Sequence, residues 1–329
     1  MKGTALLIRA EEEDLGGRAL ADEPLAGHTS YRIGGPGDLY VVVRREEDLL
    51  GWVTLARKEG VSHFVMGRGT NLLVADEGIR GIVIENRCRG VRSLTRGAGT
   101  LLRVQAGGSL SSLARRTAKE GLGGVEWAVG IPGTVGGAIV NNAGAYGGSI
   151  SQRLQGVTLL DSQGFLRRMA VSELELGYRT SRFKGESSVI LSADFALQAE
   201  SRDLLSERVA SYERERRESQ PKEPSAGSVF KNPEGEYAGR LIEEARLKGH
   251  RIGDAQISPL HANYIVNLGQ ARACDVAALI RLVRERVWQK HGTLLELEIE
   301  LVGDWEPEEV AATIGSFGSD EECTDHLQL

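Results

Sequence analysis

The sequence predicts a protein of two or three domains in which helices are mixed with short strands. Its 329 residues exceed the length of one typical domain. A strand, a helix and a second strand follow one another within residues 38–66, and short β-branched runs are spread over residues 81–197. A strongly periodic helix begins near residue 275, and its apolar stripe is typical of a helix that packs on a core.

The first folded segment predicts a β-α-β unit. DLYVVV at residues 38–43 and SHFVM at residues 62–66 are typical of strands, and EEDLLGWVTLARKEG between them predicts a helix that ends at Gly60. The preceding residues, 1–21, are expected to form a flexible leader.

The middle segment is dominated by strand patterns. They are GIVIE at residues 81–85, LLRVQAGG at 101–108, LQGVTLL at 154–160 and SVILSADFAL at 188–197. One helix, SLSSLARRTAKEG, interrupts them, and Ser109 is in position to cap it.

In the C-terminal part, a charged helix over residues 201–219 leads into QPKEP, whose prolines indicate a boundary. Beyond it, EYAGRLIEEARLKG predicts a helix and NYIVN predicts a strand. The periodic helix that follows has Asp275 as its N-cap and Gly292 past its end, and ELEIELV at residues 296–302 predicts one alternating strand. Residues 304–329 form an acidic tail that we expect to be disordered.

Composition argues against several classes of protein. With 40 basic and 46 acidic residues the net charge is −6, so a general attraction to nucleic acid or anionic membranes is not expected. No apolar run approaches the roughly 20 residues that span a bilayer, and the N-terminus offers no signal-peptide cleavage site. Three separated cysteines and six histidines without paired spacing predict neither a disulfide framework nor a metal site. These features predict a cytoplasmic protein.

Two glycine-rich stretches predict a site for a ligand that carries phosphate. GRGTNLLV at residues 67–74 follows a predicted strand, and residues 130–148 contain seven glycines in nineteen positions. A helix that starts after Pro132, with Thr134 in its first turn, would direct amide N–H groups at a diphosphate. The separation of the two stretches favours one long ligand held between two domains. A plain tight turn and a glycine-rich corner are the structural alternatives.

Three polar stretches are candidates for the chemistry. GYRTSRFKG at residues 177–185 brings arginines close to a tyrosine, a combination that suits carboxylate recognition. PSAGSVFKNPEG at residues 224–235 contains Ser225 and Ser228, and ELEIELV places its glutamates on one strand face. Each stretch has an ordinary alternative, respectively a solvated basic loop, a loop before a helix and the wet face of a strand. His261 is more typical of a structural histidine than of a base.

The chain closely resembles the UDP-N-acetylenolpyruvoylglucosamine reductase (MurB) family of bacterial peptidoglycan synthesis. The resemblance rests on these stretches in this order: HTSYRIGG, GRGTNLLV, GIPGTVGGAIVNNAGAYG, YRTSRFK, PSAGSVFKNP, HANYIVN and LELEIELVG. It implies three α+β domains, namely FAD-binding subdomains of the vanillyl-alcohol-oxidase (PCMH) type at residues 22–85 and 86–200, and a substrate-binding domain at residues 201–303. It also implies non-covalent FAD, and GRGTN contains no His or Cys that could tether a flavin.

The resemblance further implies the reaction and its residues. NADPH reduces FAD, and flavin N5 then delivers hydride to C3 of UDP-N-acetylglucosamine enolpyruvate, which becomes UDP-N-acetylmuramate. The carboxylate clamp, the proton donor to C2 and the catalytic glutamate correspond to Arg179, Ser228 and Glu298. The implied substrate contacts are Tyr146, Tyr178, Lys231, Asn232 and Arg217. The implied cofactor contacts are Gly67, Arg68, Gly69, Thr70, Asn71, Leu72, Gly130, Pro132, Gly133, Thr134, Gly136, Gly137, Ala138, Gly144 and Ala145.

The chain departs from the family pattern in a few places. No extra loop follows YRTSRFK, so the chain resembles the shorter subclass that lacks a substrate-sensing tyrosine in such a loop. Arg246 replaces a glycine that is usual in the family, Pro259 lies in a turn that usually lacks proline, and the tail after Gly303 lies outside the pattern. We expect a monomer or weak oligomer, with no nucleic-acid partner and no membrane insertion.

Two rival functions remain open from the sequence. An oxidase of the same two-domain fold would use residues 22–200 but would leave SAGSVFKNP and LELEIELVG without a role. A UDP-sugar or nucleotide-binding module would hold nucleotide phosphate in the glycine turns and contain no flavin. Oxygen consumption with a simple alcohol would favour the first, and a colourless purified protein would favour the second.

Overall fold

The computed structural model describes residues 3–94 and 99–315 of the chain. The chain divides into two compact units. The described residues of unit 1 are 3–20, 39–68, 81–94 and 99–218, and those of unit 2 are 21–38, 69–80 and 219–315. The division after residue 218 differs from the predicted start of a substrate-binding domain at residue 201, because the helix that begins there belongs to unit 1.

Helices are distributed along the whole described chain. They are α1 (Gly3–Glu12), α2 (Glu46–Lys58), α3 (Leu110–Glu120), α4 (Val135–Val140), α5 (Arg202–Ser219), α6 (Ala238–Glu244), α7 (Ala273–His291) and α8 (Pro307–Ile314). None of these helices has both the length and the apolar composition that crossing a bilayer requires.

Strands alternate with the helices, so the structure confirms the predicted α+β class. They are β1 (Arg18–Pro24), β2 (Pro36–Val43), β3 (His63–Met66), β4 (Leu72–Val74), β5 (Ile79–Asn86), β6 (Val91–Ser93), β7 (Gly99–Gln105), β8 (Leu122–Gly123), β9 (Gly144–Ala145), β10 (Gly148–Ser149), β11 (Leu154–Leu160), β12 (Leu166–Ala170), β13 (Val189–Ala199), β14 (Arg251–Ile252), β15 (Ala255–Ile257), β16 (Ile265–Asn267) and β17 (Glu300–Val302). The sheet orders are β1-β2-β5-β3, β12-β11-β13-β7-β6 with β8 beside β13, β14-β15-β16, β17-β4 and β10-β9.

Unit 1 is built around the antiparallel sheet that contains β13. Leu113 of α3, Ile139 of α4 and Phe195 of β13 are buried in one hydrophobic core of this unit. Ser109 caps α3 as predicted, since its hydroxyl accepts a hydrogen bond from the Ser112 amide at 3.3 Å. The glycine-rich segment at residues 130–148 contains α4, and its first amide, that of Gly130, donates to the hydroxyl of Ser111 in α3 at 2.9 Å.

A carboxylate on the same sheet is paired with two arginines. The side chain of Asp194 on β13 is buried and accepts hydrogen bonds from Arg103 at 2.7 and 2.9 Å and from Arg168 at 2.8 Å. The Arg103 guanidinium, followed by Arg168, holds the pKa of this carboxyl below its usual value.

The N-terminal residues are structured, unlike the flexible leader that was expected. Residues 3–12 form α1, in which Ala10 is buried, and β1 begins at Arg18. The indole of Trp52 donates a hydrogen bond to the Gly16 carbonyl at 2.9 Å. Apolar residues within this acidic segment therefore find a core to pack on, which composition alone did not indicate.

Unit 2 packs α6 and α7 around a small core with the β14-β15-β16 sheet. Val276, Ile280 and Val287 are buried along one face of α7, as the periodicity predicted. The helix is followed by Gly292 at φ 66°, which confirms the predicted end.

The predicted N-cap of α7 is wrong. The N-cap residue is Arg272, and Asp275 lies in the first turn, where its carboxylate accepts the Arg272 amide at 2.9 Å. The first helical amides, those of Ala273 and Cys274, donate to the carboxylate of Asp76 at 2.8 and 3.1 Å. Because Asp76 is distant in sequence, no local pattern could identify it as the capping group.

The ELEIELV segment is not one continuous strand, contrary to prediction. Leu297 forms an isolated antiparallel bridge with Phe230, a bend follows at residues 298–299, and β17 then pairs in parallel with β4. The segment changes partners within seven residues, and alternation of side chains does not report such a change.

The start of the expected disordered tail is helical. The guanidinium of Arg284 in α7 is buried and donates to the carbonyls of Thr313 and Ile314 at 2.7 and 3.1 Å. These are the last carbonyls of α8, so a buried cation satisfies a helix C-terminus here. The remainder of the tail lies outside the described residues.

Candidate active site

The two glycine-rich stretches meet in unit 1. A Cβ placed on Gly67, directly after β3, would lie 2.4 Å from the hydroxyl of Thr134. Glycine is therefore required at residue 67 for the turn to reach Thr134 at the start of α4. Of the first stretch, Gly67 and Arg68 belong to unit 1, whereas Gly69, Thr70, Asn71 and Leu72 belong to unit 2.

The first turn of α4 does not present free amides, so that part of the prediction is wrong. Thr134 is the N-cap, and its hydroxyl accepts the Gly137 amide at 3.3 Å. The amides of Val135 and Gly136 donate to the carbonyls of Gly108 and Ala106, each at 2.8 Å. The first amides of this six-residue helix are thus already bonded to groups of the protein.

Amides next to the helix are available instead. Within the described residues, no acceptor is bonded to the backbone N–H of Arg68, Gly133 or Thr134. A Cβ on Gly137 would meet only the Thr134 hydroxyl, at 3.6 Å, so this part of α4 is open to close approach. Unbonded amides beside an open glycine surface fit the diphosphate of a dinucleotide.

Three other glycines of this segment have structural explanations. A Cβ on Gly136 would lie 3.1 Å from that of Ala106, and one on Gly144 would lie 2.7 Å from the Gly148 carbonyl. A Cβ on Gly130 would lie 2.8 Å from Cδ of Arg216. Pro132, Ala138 and Ala145 complete the predicted cofactor set in this unit, and their contacts with a cofactor stay predictions.

Tyr146 lies in the tight hairpin that joins β9 to β10. Tyr146 and Gly147 have φ values of 52° and 75°, the two positive values that a type I′ turn needs. The Tyr146 ring stacks on Tyr212 of α5 with centroids 4.3 Å apart. Burial raises the pKa of the Tyr146 phenol, and the neighbouring Arg216 guanidinium opposes that rise.

Arg216, rather than the predicted Arg217, faces the glycine-rich segment. Tyr212 and Arg216 are four residues apart on one face of α5, whereas Arg217 is exposed. Helical periodicity was the signal that could have separated the two arginines. A substrate contact by Arg217 stays a prediction.

Tyr178 and Arg179 form the tip of a two-residue turn. Gly177 and Thr180 close this turn, and Arg179 has φ 55°, a left-handed conformation that costs a non-glycine residue about 1–2 kcal/mol. Its guanidinium donates to the Gly144 carbonyl at 2.9 Å and lies 5.3 Å from the Tyr178 ring centroid. The exposed Tyr178 and the half-buried Arg179 thus lie side by side in this turn, and their role as a carboxylate clamp stays a prediction.

In unit 2, the segment with Ser228 lies beside Glu298. The Glu298 amide donates to the Val229 carbonyl at 2.8 Å, and the Lys231 amide donates to the Glu296 carbonyl at 2.9 Å. Among the described residues, none makes a hydrogen bond with the half-buried Ser228 hydroxyl. That hydroxyl is therefore available to a ligand.

The backbone around Ser228 and Glu298 is held by two asparagines. Asn263, which is buried, accepts the Phe230 amide at 2.9 Å and donates to the Phe230 carbonyl at 2.8 Å. Asn71, predicted as a cofactor contact, donates to the Glu298 carbonyl at 3.0 Å. Neither role was visible in the sequence, although Asn263 lies in the HANYIVN stretch.

Lys231 and Asn232 already have protein partners. The Lys231 ammonium pairs with Glu296 at 3.0 Å, and Oδ1 of Asn232 accepts the Ala238 amide at 3.1 Å, at the start of α6. The substrate roles of both residues stay predictions.

His261 has the properties of a structural histidine, as expected. Its Nδ1 accepts the Asn263 amide at 3.2 Å, and burial lowers the pKa of the imidazole. Burial thus disfavours the charged form of the ring, which supports the turn before Asn263. Pro259 lies in the same turn, in which Ser258 accepts the amides of Leu260 and His261.

Arg246, the departure from a usual glycine, adopts φ 58° just after α6. Glycine takes this conformation without steric cost, which explains why it would suit this position. The arginine tolerates the left-handed conformation at a modest energetic cost.

The geometry agrees with comparisons to known proteins. Residues 220–302 match the family model described as UDP-N-acetylenolpyruvoylglucosamine reductase, C-terminal domain, and residues 36–170 match one described as FAD binding domain. UDP-N-acetylenolpyruvoylglucosamine reductase 2 of Symbiobacterium thermophilum is 44% identical over 87% of this chain and 93% of its own. The corresponding reductase of a Synechococcus species is 46% identical over 88% of this chain and 96% of its own.

A solved structure extends this similarity to three dimensions. The crystal structure of UDP-N-acetylenolpyruvylglucosamine reductase from Thermus caldophilus aligns with a TM-score of 0.72 at 36% identity. The alignment covers 87% of this chain and 98% of that one. Both glycine-rich stretches and the Ser228 segment lie within the regions that the family models match.

Proposed function

Because the chain belongs to the UDP-N-acetylenolpyruvoylglucosamine reductase family, we propose that it reduces UDP-N-acetylglucosamine enolpyruvate to UDP-N-acetylmuramate in the bacterial cytoplasm, with NADPH as the electron source. Its FAD binding domain makes it a flavin-dependent oxidoreductase. One observation carries the proposal. The available Ser228 hydroxyl lies in a segment hydrogen-bonded to Glu298, within the region that matches the reductase C-terminal domain.

Residues of unit 1 fit the cofactor. The amides of Arg68, Gly133 and Thr134 would hold the FAD diphosphate, and the open surface at Gly137 would allow it to approach the backbone. When bound and reduced by hydride transfer from NADPH, the flavin would supply the hydride that adds to C3 of the enol ether.

Arg179 stabilises the charge that hydride addition creates. As the C3–H bond forms, the electron pair of the C2–C3 double bond moves onto C2 and the adjoining carboxylate. A guanidinium bonded to that carboxylate lowers the energy of this state. The Tyr178 hydroxyl would orient the same group, and Tyr146, Lys231, Asn232 and Arg217 would contact the rest of the substrate.

Ser228 then donates its proton to C2, which completes the reduction. The serine oxygen recovers a proton from solvent, so the side chain is unchanged after turnover. A hydroxyl is a weak acid, but a carbon centre with enolate character is basic enough to take its proton. Glu298, beside the same segment, polarises the substrate.

An anaerobic spectroscopic titration tests the proposal. The purified protein should show a flavin absorption band that bleaches on addition of NADPH and returns on addition of the enolpyruvyl UDP-sugar. A flavin that the sugar fails to reoxidise would instead favour an oxidase of the same fold. A colourless protein that cannot be reconstituted with FAD would contradict the assignment altogether.

A further inference from the structure

The turn that carries Arg179 is attached to one short segment of unit 1. The Arg179 guanidinium contacts the Gly144 carbonyl, and the Ser181 hydroxyl donates to the Val140 carbonyl at 2.7 Å. Asn142 lies between these two anchor points and contacts the entrance of the turn. The end of α4 and the residues after it therefore form a platform for the Tyr178–Arg179 turn.

Asn142 connects two separate loops through its side chain. Its Nδ2 donates to the Gly177 carbonyl at 2.8 Å, and its Oδ1 accepts the Ser151 amide at 3.2 Å. The side chain is buried, and the residue has φ 38°, a left-handed conformation that asparagine adopts more readily than most residues. The carboxamide is thereby directed away from α4 and towards the turn.

The hydrogen bond from Asn142 to Gly177 matters because only one of the two main-chain contacts that close the turn is short. The Gly177 amide donates to the Thr180 carbonyl at 3.1 Å, but the Thr180 amide approaches the Gly177 carbonyl only to 3.5 Å, and Arg179 has a left-handed backbone that other conformations would relieve. Because the Asn142 side chain donates to the Gly177 carbonyl, fewer other backbone conformations are available to the turn. The guanidinium is then kept in one place before any substrate binds.

We propose that Asn142 is a positioning residue for Arg179, acting through the Gly177 carbonyl to hold the clamp where the substrate carboxylate binds. This inference rests on the proposed function, in which Arg179 contacts that carboxylate. Asn142 itself touches neither substrate nor cofactor in this role. A misplacement of about 1 Å in such a group can reduce a rate by about 100-fold.

The test compares Asn142→Asp, Arg179→Ala and the double variant in the FAD-loaded enzyme. Asn142→Asp keeps the shape of the side chain but replaces the N–H donor with an oxygen that repels the Gly177 carbonyl. Three quantities are measured: flavin reduction by NADPH, flavin reoxidation by the enolpyruvyl UDP-sugar, and calorimetric affinity of that sugar for the oxidised enzyme. Gln256→Glu is the matched control, because its amide also donates to a backbone carbonyl, that of Gly249 at 3.0 Å.

We expect Asn142→Asp to slow reoxidation by about 10- to 100-fold and to weaken sugar binding while leaving reduction by NADPH unchanged. The same substitution in the Arg179→Ala background should change reoxidation by less than about twofold, because the group being positioned is gone. If Asn142 were purely structural, the double variant would show the rate losses of the two single variants multiplied together. Gln256→Glu should match the parent in all three measurements.

Two results would overturn the inference while leaving the proposed function intact. One is normal reoxidation in Asn142→Asp when Arg179→Ala is slow, and the other is a multiplicative effect in the double variant. If Arg179→Ala itself reoxidises normally, both the clamp role and the inference fail. Should Asn142→Asp not retain flavin, Asn142→Ala, which adds no charge, enters the same comparison and is judged by the same criteria.

Discussion

Unit 1 and unit 2 hold their candidate reactive side chains by different means. In unit 1, Arg179 lies in a strained two-residue turn that side-chain hydrogen bonds attach to residues 140–144. In unit 2, Ser228 adjoins two short segments joined mainly by main-chain hydrogen bonds, from Glu298 to Val229 and from Lys231 to Glu296.

This difference has a consequence for mutation. Main-chain hydrogen bonds survive a change of side chain, so replacing a reactive residue in unit 2 should alter chemistry and leave position intact. Side-chain hydrogen bonds are lost with a single substitution. The position of Arg179 should therefore be more sensitive to substitution of its neighbours than that of Ser228, for which Asn263 and Asn71 are the side chains that hold the surrounding backbone.

The largest effect is expected for Ser228→Ala in unit 2. Removal of the proton donor should slow flavin reoxidation by the enolpyruvyl sugar by about 10²–10⁴-fold, with the rate of reduction by NADPH and the melting temperature unchanged. Stopped-flow absorbance separates the two half-reactions. Ser225→Ala is the control, since only its backbone carbonyl makes a described contact, with Ser30. Equal slowing of both half-reactions would contradict the donor role.

Arg179→Lys should come next, as the equivalent test in unit 1. A lysine keeps the charge but loses the planar fork and the hydrogen bond to Gly144, so reoxidation should slow by about 100-fold and KM for the sugar should rise. Arg182→Lys is the control, because that arginine pairs with Glu186 at 3.2 Å in the same loop. If the control loses as much activity, the effect belongs to the loop rather than to the clamp.

Among the anchors, Asn263→Ala should destabilise the protein more than Asn142→Ala. Asn263 satisfies both polar groups of the buried Phe230 backbone, so its loss should lower the free energy of unfolding by about 2–3 kcal/mol. For Asn142→Ala we expect a loss of about 1 kcal/mol of unfolding free energy, because the hydrogen bond from the Ser151 amide to Asn142 is longer, at 3.2 Å. Urea denaturation measures the free energy of unfolding of both variants, and the reverse order would contradict the assignment of Asn263 as the stronger anchor.

The cap of α7 provides a smaller test within unit 2. Asp76→Ala removes the acceptor of two helical amides and should cost about 1–2 kcal/mol of unfolding free energy. Asp275→Ala removes one bond, to the Arg272 amide, and should cost about 0.5–1 kcal/mol. Thermal unfolding of the two variants decides between the distant and the local cap. A larger loss in Asp275→Ala would contradict the greater contribution of Asp76 to the start of α7.

A similarly small effect is expected for Asp194→Asn in unit 1, and it should depend on pH. The folded pKa of Asp194 is lowered, so its ionised form stabilises the fold above the unfolded pKa of about 3.9, and this contribution is lost as pH falls through the folded pKa. Because both arginines are partly exposed, we expect a loss of only about 1 kcal/mol at pH 7. A difference from the parent that stays constant down to pH 3 would contradict this origin.

Elements with local signals were predicted correctly. The Ser109 cap of α3, the Gly292 end of α7 and the strand at residues 38–43 all follow from patterns within a few residues. Errors occurred where a distant partner decides the outcome. The bend at residues 298–299, with its bond from Asn71, and the capping of α7 by Asp76 are examples.

The same distinction between local signals and distant partners applies to the candidate site. The sequence by itself determined which chemistry is available, since residue types in the glycine-rich stretches, the Tyr178–Arg179 pair and the Ser228 segment do not depend on folding. Only the tertiary structure decided which backbone groups of α4 are already bonded, which arginine of α5 faces the glycines, and that Asn142 holds Gly177. The physical reason is that a hydrogen bond joins whichever donor and acceptor the fold brings within about 3 Å, and sequence separation carries no information about that distance.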